Sequence, residues 1–449
     1  MKYLSFLLLL VISNLCIAQV TVYFPPNIQW QKCIGGTNED TALNIEQTID
    51  GGYIVSGRTN SIDGDFVGNS GNSFCLVKLD GNGNISWKRF FPAMIHDHLK
   101  EEMHHTTDGG FIIGGDTVRK LDANGNTVWI LPQKRPLIKQ TFDGGYIAVE
   151  QYGMWYDYLA TKIDASGNIQ WFDTAGGPLD FYVLYSIEQY GDSTFLYAGT
   201  GEWGGLPDDF ATIARKKLNE QVFDFATFGD GVFYYIKRTL DGGMITISSG
   251  GSLYRFASNA TLTWLHAFQF LKHTIQNQDS SFTACGYKQG QALLMNLQPT
   301  SDSMWAGYYG GTFHDDFIAS QQTTDGGYIA VGNTLSNDGD VSGNHGGRDI
   351  WVVKFGPDSM AVLNINTLQA TNAIHLYPNP TKGNFTITTP EDGKVELYDM
   401  QGRLLYTTKI PKGKTDIKMP SNISAGTYLL RYNNADGNIV ENKMLIYQP

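Results

Sequence analysis

The sequence predicts an all-β protein: a seven-bladed β-propeller followed by a small immunoglobulin-like β-sandwich. Three observations carry this expectation. The stretch "TTDGGYIAVG" at Thr323–Gly332 has close relatives at 48–57, 106–115, 141–150 and 239–248. Glycine (51 residues), tyrosine (24) and phenylalanine (24) are abundant while charged residues reach only 17%, which suits short strands joined by tight turns. After about residue 373 the repeat stops, and shorter apolar–polar alternations between turn signals take over.

Each repeat is wider than ten residues. A second signature follows the first: "LVKLDGNGNISW" (76–87), "VRKLDANGNTVW" (118–129), "ATKIDASGNIQW" (160–171), with weaker forms at 214–225, 253–264 and 293–305. Two degenerate copies, "EQYGDSTFLYAG" (188–199) and "QNQDSSFTACG" (276–286), complete the set. The turn aspartates are then Asp50, Asp108, Asp143, Asp192, Asp241, Asp279 and Asp325, about 46 residues apart on average. Four short apolar runs per unit at that period define a propeller blade. Within Thr-x-Asp-Gly-Gly the aspartate closes the turn, and the next residue must enter the left-handed region that glycine tolerates. Asp50 and its equivalents are therefore turn formers rather than ligands. The Asp-x-x-Gly-Asn tips at Asp80, Asp122 and Asp164 follow the same logic on a second hairpin. Asp80 opens like a calcium loop but lacks its later glutamate.

The seventh unit has a third strand, "DIWVVKFG" (349–356), but no Gly-Asn-x-x-Trp after it. The missing half stands near the N-terminus as "NIQW" (27–30), so that segment is expected to supply the outermost strand and close the ring. Outer strands would carry Trp30, Trp87, Trp129, Trp171, Trp264 and Trp305, packed between neighbouring blades.

The first 18 residues have a Lys2, an apolar run and small residues before Gln19, the pattern of a secretory signal peptide cleaved after Ala18. The apolar run is too short to span a bilayer. Cys33, Cys75 and Cys285 remain; their spacing fits no metal motif, and buried free thiols are expected. A net charge of −12 argues against nucleic acid as partner. The expected domains are a signal peptide (1–18), a propeller (19–360), a linker (361–373) and a β-sandwich (374–449).

That last segment contains Tyr377-Pro378-Asn379-Pro380 with Gly383, then Asp399, Gly402 and Arg403, then Gly426-Thr427-Tyr428, and finally Lys443-Met444-Leu445-Ile446. In residues and order it resembles the type A C-terminal sorting domain of the bacterial type IX secretion system. The resemblance implies passage through the periplasm and across the outer membrane, with the type IX translocon and its sortase as partners. It also implies release or attachment at the cell surface. The repeat region looks like the Asp-Gly-Gly propellers that often precede such domains, which carry no defined activity.

Strand order places the Asp-Gly-Gly and Asp-x-x-Gly-Asn turns on one face and the longest loops on the other: 58–73, 200–210 and 333–349. Blades seven and one adjoin once the ring closes. Asp63, Asp65, Asp338, Asp340 and Asp349 would then share a sector, where oxygen-rich, glycine-rich loops suit Ca²⁺, the one candidate cofactor. His96 and His98 could chelate a metal from a strand end but lack a third ligand. Trp155 and Trp203 are candidate sugar-stacking residues. Neither a Gly-x-Ser-x-Gly elbow, a His-Glu-x-x-His nor a phosphate loop is present. The expected function is a secreted or surface-displayed, non-enzymatic module binding glycan, protein or Ca²⁺. The alternative is a polysaccharide hydrolase or lyase using acidic residues of the long-loop face.

Overall fold

The computed structural model describes residues 19–93, 102–152, 157–174, 180–191, 193–202, 210–217, 222–300, 302–364, 374–399 and 402–448. The predicted signal peptide and linker residues 365–373 lie outside them. The chain divides into two compact units, one spanning Val22–Ala361 and the other containing the segment from Val362 on.

Among the described residues the larger unit consists mainly of seven four-stranded antiparallel sheets. The first contains Asp40–Gln47, Tyr53–Thr59, Ser73–Leu79 and Ile85–Pro92, paired in that order from inside to outside. The next five repeat this order along the chain. The seventh combines Asp315–Gln322, Tyr328–Thr334 and Asp349–Phe355 with the N-terminal strand Ile28–Ile34, which pairs Ile28 with Phe355 and Ile34 with Ile350. The sheets form a β-propeller.

Burial follows the seams. Ile54 and Leu76 of the first sheet pack in one buried cluster with Phe111 and Leu121 of the second, and each later seam has a cluster of its own. The cluster of Ile34, Ile329, Val331 and Ile350 with Ile45, Val55 and Val77 joins the seventh sheet back to the first, so the ring is closed. Cys33, Cys75 and Cys285 are free and buried in these clusters, and burial raises their thiols; those of Cys33 and Cys285 reach about 12.

The outer-strand tryptophans wedge the seams as expected. Trp30, Trp87, Trp129, Trp264 and Trp305 sit edge-on to Tyr53, Phe111, Tyr146, Phe282 and Tyr328 at 5.8, 5.8, 5.6, 6.0 and 5.4 Å. Each partner is the first residue after the turn of the next sheet. The same indoles lie under the next sheet's second tip: a Cβ on Gly125 would come 2.9 Å from Trp87. Trp171 packs against the cluster containing Phe195 and Tyr197.

The Asp-Gly-Gly turn has a partner that the repeat spelled out without revealing its use. Lys78, Lys120, Lys162 and Lys354, each the residue before the end of a third strand, are buried and reach Asp50, Asp108, Asp143 and Asp325 at 2.8–2.9 Å. Arg255 does the same for Asp241. Each lysine also donates to the backbone carbonyl that follows it. Asp50 Oδ1 further accepts from the Thr48 hydroxyl at 2.5 Å and the Gly52 N–H at 3.1 Å. The two glycines have different duties. Gly51 has φ +79° and open space around it, so its need is conformational; a Cβ on Gly52 would meet the Leu79 carbonyl at 2.3 Å. The turn aspartates are architectural.

A second stitch runs between sheets. The side-chain oxygens of Gln47, Gln140, Gln189, Gln276 and Gln322, each three residues before a turn aspartate, accept the N–H of Thr324, Thr107, Phe142, Leu240 and Gln278 in the preceding turn.

In the smaller unit, His375–Tyr377, Asn384–Thr389 and Gly413–Lys418 form one sheet. Leu404–Ile410, Gly393–Tyr398, Gly426–Asn434 and Ile439–Tyr447 form the other, and Ile387, Val395, Leu430 and Leu445 share the buried cluster between them.

Replacing Trp87 by Ala should lower the unfolding free energy by about 3 kcal/mol, measured by denaturant titration, whereas Val128→Ala on the exposed side of an outer strand should stay within about 0.5 kcal/mol. Partial burial works against ionisation of Asp50, Asp108, Asp143 and Asp325, but the Thr hydroxyl, the buried lysine and the glycine N–H outweigh it and hold each carboxyl at about 2. Their folded pKa values lie below the unfolded ones. The stabilisation is therefore complete above about pH 4 and lost as pH falls toward 2. Urea midpoints taken from pH 5 to pH 2.5 should fall, and Asp108→Asn should flatten that fall.

Candidate functional site

The long-loop face is built from two copies of one device. In the first sheet, the Asp63 carboxylate accepts the Thr37 N–H at 2.9 Å and the Thr37 hydroxyl at 2.8 Å. Asp40 accepts the Gly36 N–H and the Ser61 hydroxyl, both at 2.9 Å, and the Asp65 N–H donates to the Gly35 carbonyl at 2.8 Å. In the seventh sheet Asp338 takes the N–H and hydroxyl of Thr312. There Asp315 takes Gly311 and Ser336, and the Asp340 N–H meets the Gly310 carbonyl at 2.9 Å. The pattern Gly-Gly-Thr with a later Ser-x-Asp-Gly-Asp thus ties a connector to its loop. Glycine is required at the contact, since a Cβ on Gly36 or Gly311 would lie 2.3 or 2.2 Å from the aspartate.

Asp63 and Asp65 thus belong to one tie and Asp338 and Asp340 to another. Among the described residues no group of three or more His, Cys, Asp and Glu side chains is arranged to hold a metal. Asp349 stands apart. It is wholly buried, its Oδ2 accepts His345 Nδ1 at 2.7 Å and the His345 N–H at 3.0 Å, and its Oδ1 has no hydrogen-bond partner. Burial raises its carboxyl, and the neighbouring Asp40 adds to the rise against the opposing pull of His345. His345 is about one-third exposed, and its Nε2 lies 3.8 Å from Asp65. This oriented imidazole escaped the sequence reading, although His345 stands four residues before Asp349.

A second constellation lines the ring axis. Four residues before each turn aspartate stand Glu46, His104, Lys139, Glu188, Lys237, Ile275 and Gln321, and that fixed offset was the unused signal. His104 lies 2.9 Å from Glu46, 3.2 Å from Glu102 and 2.6 Å from Lys139, while Lys139 meets Glu102 at 2.8 Å and Lys237 meets Glu188 at 3.2 Å. Burial and Lys139 oppose protonation of His104, but the two carboxylates outweigh them and raise its pKa. Glu46, despite burial, is held at about 2 by His104. His273 beside Tyr235 (4.8 Å) moves to about 3, through burial first and then Lys237 and Lys139. These pairs link successive inner strands, so the axis is braced by charge.

His96, His98, Trp155 and Trp203 lie outside the described residues. In the smaller unit, the Asn379 side chain donates to the Met444 carbonyl at 2.7 Å and accepts the Ile446 N–H at 2.8 Å, so the segment between Pro378 and Pro380 docks on the last strand. Both prolines follow cis peptide bonds. Asp399, Gly402 and Arg403 form a hairpin tip of the same design as Asp80–Asn84, with Arg403 Nε 2.6 Å from the Asp399 carboxylate. Gly383 accepts the Met419 N–H, the Tyr428 hydroxyl donates to Ser424, Gly426 opens that strand, and Lys443 lies 3.4 Å from Glu441.

Residues 375–447 match the family described as the secretion system C-terminal sorting domain. No curated protein matches the chain. Among solved structures it is similar to PorZ, an essential bacterial surface component of the type IX secretion system of Porphyromonas gingivalis (12% identity, TM-score 0.44), over 92% of this chain and 60% of PorZ. It is also similar to the Dos1 propeller (10%, TM-score 0.48; 72% of this chain and 94% of that one). A third is BamB from Moraxella catarrhalis (12%, TM-score 0.39; 76% and 96%). These likenesses are too distant to carry function. The ring of four-stranded sheets and the matched C-terminal segment together make the chain a β-propeller protein that carries a type IX secretion C-terminal sorting domain.

Proposed function

We propose that the protein is a binding module, exported by the type IX system and released or held at the cell surface, that engages its ligand through the long-loop face. The sorting domain implies the export route and an interaction with the secretion machinery. The observation that supports the binding face is the unequal use of the two ends of the ring. On the Asp-Gly-Gly end the turn aspartates are paired with buried cations and the glutamine stitches use the backbone, and the exposed apolar residues Ile49, Phe142 and Leu240 sit singly on alternate sheets. On the other end Ile62, Val67, Tyr287, Phe313 and Leu335 are exposed from the sixth, seventh and first sheets, and the partly exposed His345 bridges toward Asp65 of the first.

One observation favours the enzymatic reading. Asp349 holds His345 through Nδ1 and leaves Nε2 of this partly exposed ring 3.8 Å from Asp65, the arrangement by which a buried carboxylate orients a general base. A polysaccharide hydrolase or lyase would use it.

Deleting 374–449 should leave the protein in the periplasm of a type IX-secreting bacterium, read by fractionation and immunoblot; normal delivery of the truncated chain would refute the sorting role. Incubating the full chain with polysaccharides should release no reducing ends or unsaturated products. Turnover that disappears in Asp349→Asn and His345→Ala would replace the binding reading with the enzymatic one.

A further inference from the structure

The seam between the sixth and seventh sheets combines exposure with fixed polar geometry. In the sixth sheet the second and third strands, Phe282–Lys288 and Gln291–Leu297, are joined by Gln289 and Gly290 alone. The matching connection of the seventh sheet runs over 335–348. The short turn leaves Tyr287 uncovered beside the taller loop. Tyr287 is 39% exposed, Phe313 64% and Leu335 39%.

The backbone holds these groups in place. The Phe313 N–H donates to the Ser336 hydroxyl at 2.9 Å, and the Leu335 N–H to the His314 carbonyl at 3.1 Å. The His314 ring stands edge-on to Tyr287 at 5.2 Å. Beneath them lies Asp316, only 5% exposed, with Oδ1 fixed by the Asn333 N–H at 3.0 Å and side-chain amide at 2.9 Å. Its Oδ2 accepts Lys272 Nζ at 2.6 Å and lies 3.8 Å from His314 Nε2, while the ammonium sits 5.1 Å from the Tyr287 ring centre.

We propose that this seam is a carbohydrate-stacking site for a pyranose unit of a neutral polysaccharide. It rests on the reading that the long-loop face is the ligand face. A pyranose has an apolar C–H face and a hydroxyl rim. Tyr287 and Phe313 offer aromatic surface to the first. Lys272, steadied from below by the buried Asp316, and the exposed imidazole of His314 face the second, a rim of hydroxyls that both give and accept hydrogen bonds. The Lys272–Asp316 pairing leaves the polar part of the seam without a dominant charge, which matches a neutral sugar better than an acidic one.

The test uses the full chain and a panel of soluble neutral polysaccharides: a β-glucan, a xylan, a mannan and an α-glucan. Affinity electrophoresis or calorimetry should detect binding to at least one of them. Tyr287→Ala and Phe313→Ala should each weaken it about tenfold, with unchanged melting midpoints. Phe172→Ala, which removes a 53% exposed aromatic from an outer strand, should have no effect. Binding that survives both seam variants, or that Phe172→Ala weakens equally, overturns the site. No binding to any polysaccharide overturns the ligand class but leaves the face open to a protein partner. Loss on Phe142→Ala, at the opposite end, with the seam variants unaffected, overturns the ligand face itself.

Discussion

Closure of the ring is the constraint on which everything else in the larger unit depends. No sheet here buries both of its faces alone. Each needs the next, as the clusters shared across every seam show, and the seventh must meet the first. The N-terminal strand Ile28–Ile34 makes that last join by pairing with Asp349–Phe355. Its Trp30 then wedges onto Tyr53 of the first sheet as Trp87, Trp129, Trp264 and Trp305 do on their neighbours. Because the strand comes from the opposite end of the repeat region, closure ties that region's two ends together. Such a ring cannot lose one sheet without exposing two apolar faces.

The repeated polar residues serve that closure. A buried lysine would be costly alone, and the turn aspartate supplies its counter-charge while the lysine satisfies a terminal carbonyl. The same aspartate closes the hairpin turn. The glutamine stitches add a directional link between successive sheets, and the charges at the axis do so between inner strands. Other features stand where the repeat is broken. These are the loop of uneven length, the histidine without an equivalent in other sheets, and the aromatic residues that no neighbouring loop covers.

The connector ties show how a good sequence signal can carry two meanings. Asp63, Asp65, Asp338 and Asp340 sit in glycine-rich loops, a composition that suits calcium and equally suits the capping of backbone N–H groups. Spacing cannot separate the two, because both need carboxylates near glycines. The structure adds the capping itself: Thr37 and Thr312 donate to Asp63 and Asp338, and Gly36 and Gly311 approach those carboxylates closely.

The sequence by itself determined the strand repeat, the turn chemistry, the borrowed outer strand, the tryptophan wedges and the sorting domain. All of these are local periodicities or motifs, and hydrophobic patterning with turn residues writes them directly into the chain. Only the tertiary structure decided which charges meet. It paired Lys78 with Asp50 across 28 residues, placed Glu46 on His104 across 58, brought His345 toward Asp65 across the closing seam, and set the exposed Tyr287 edge-on to His314. Those encounters depend on how far one sheet is turned from the next and how tall each loop stands. Neither quantity is carried by any single stretch of residues.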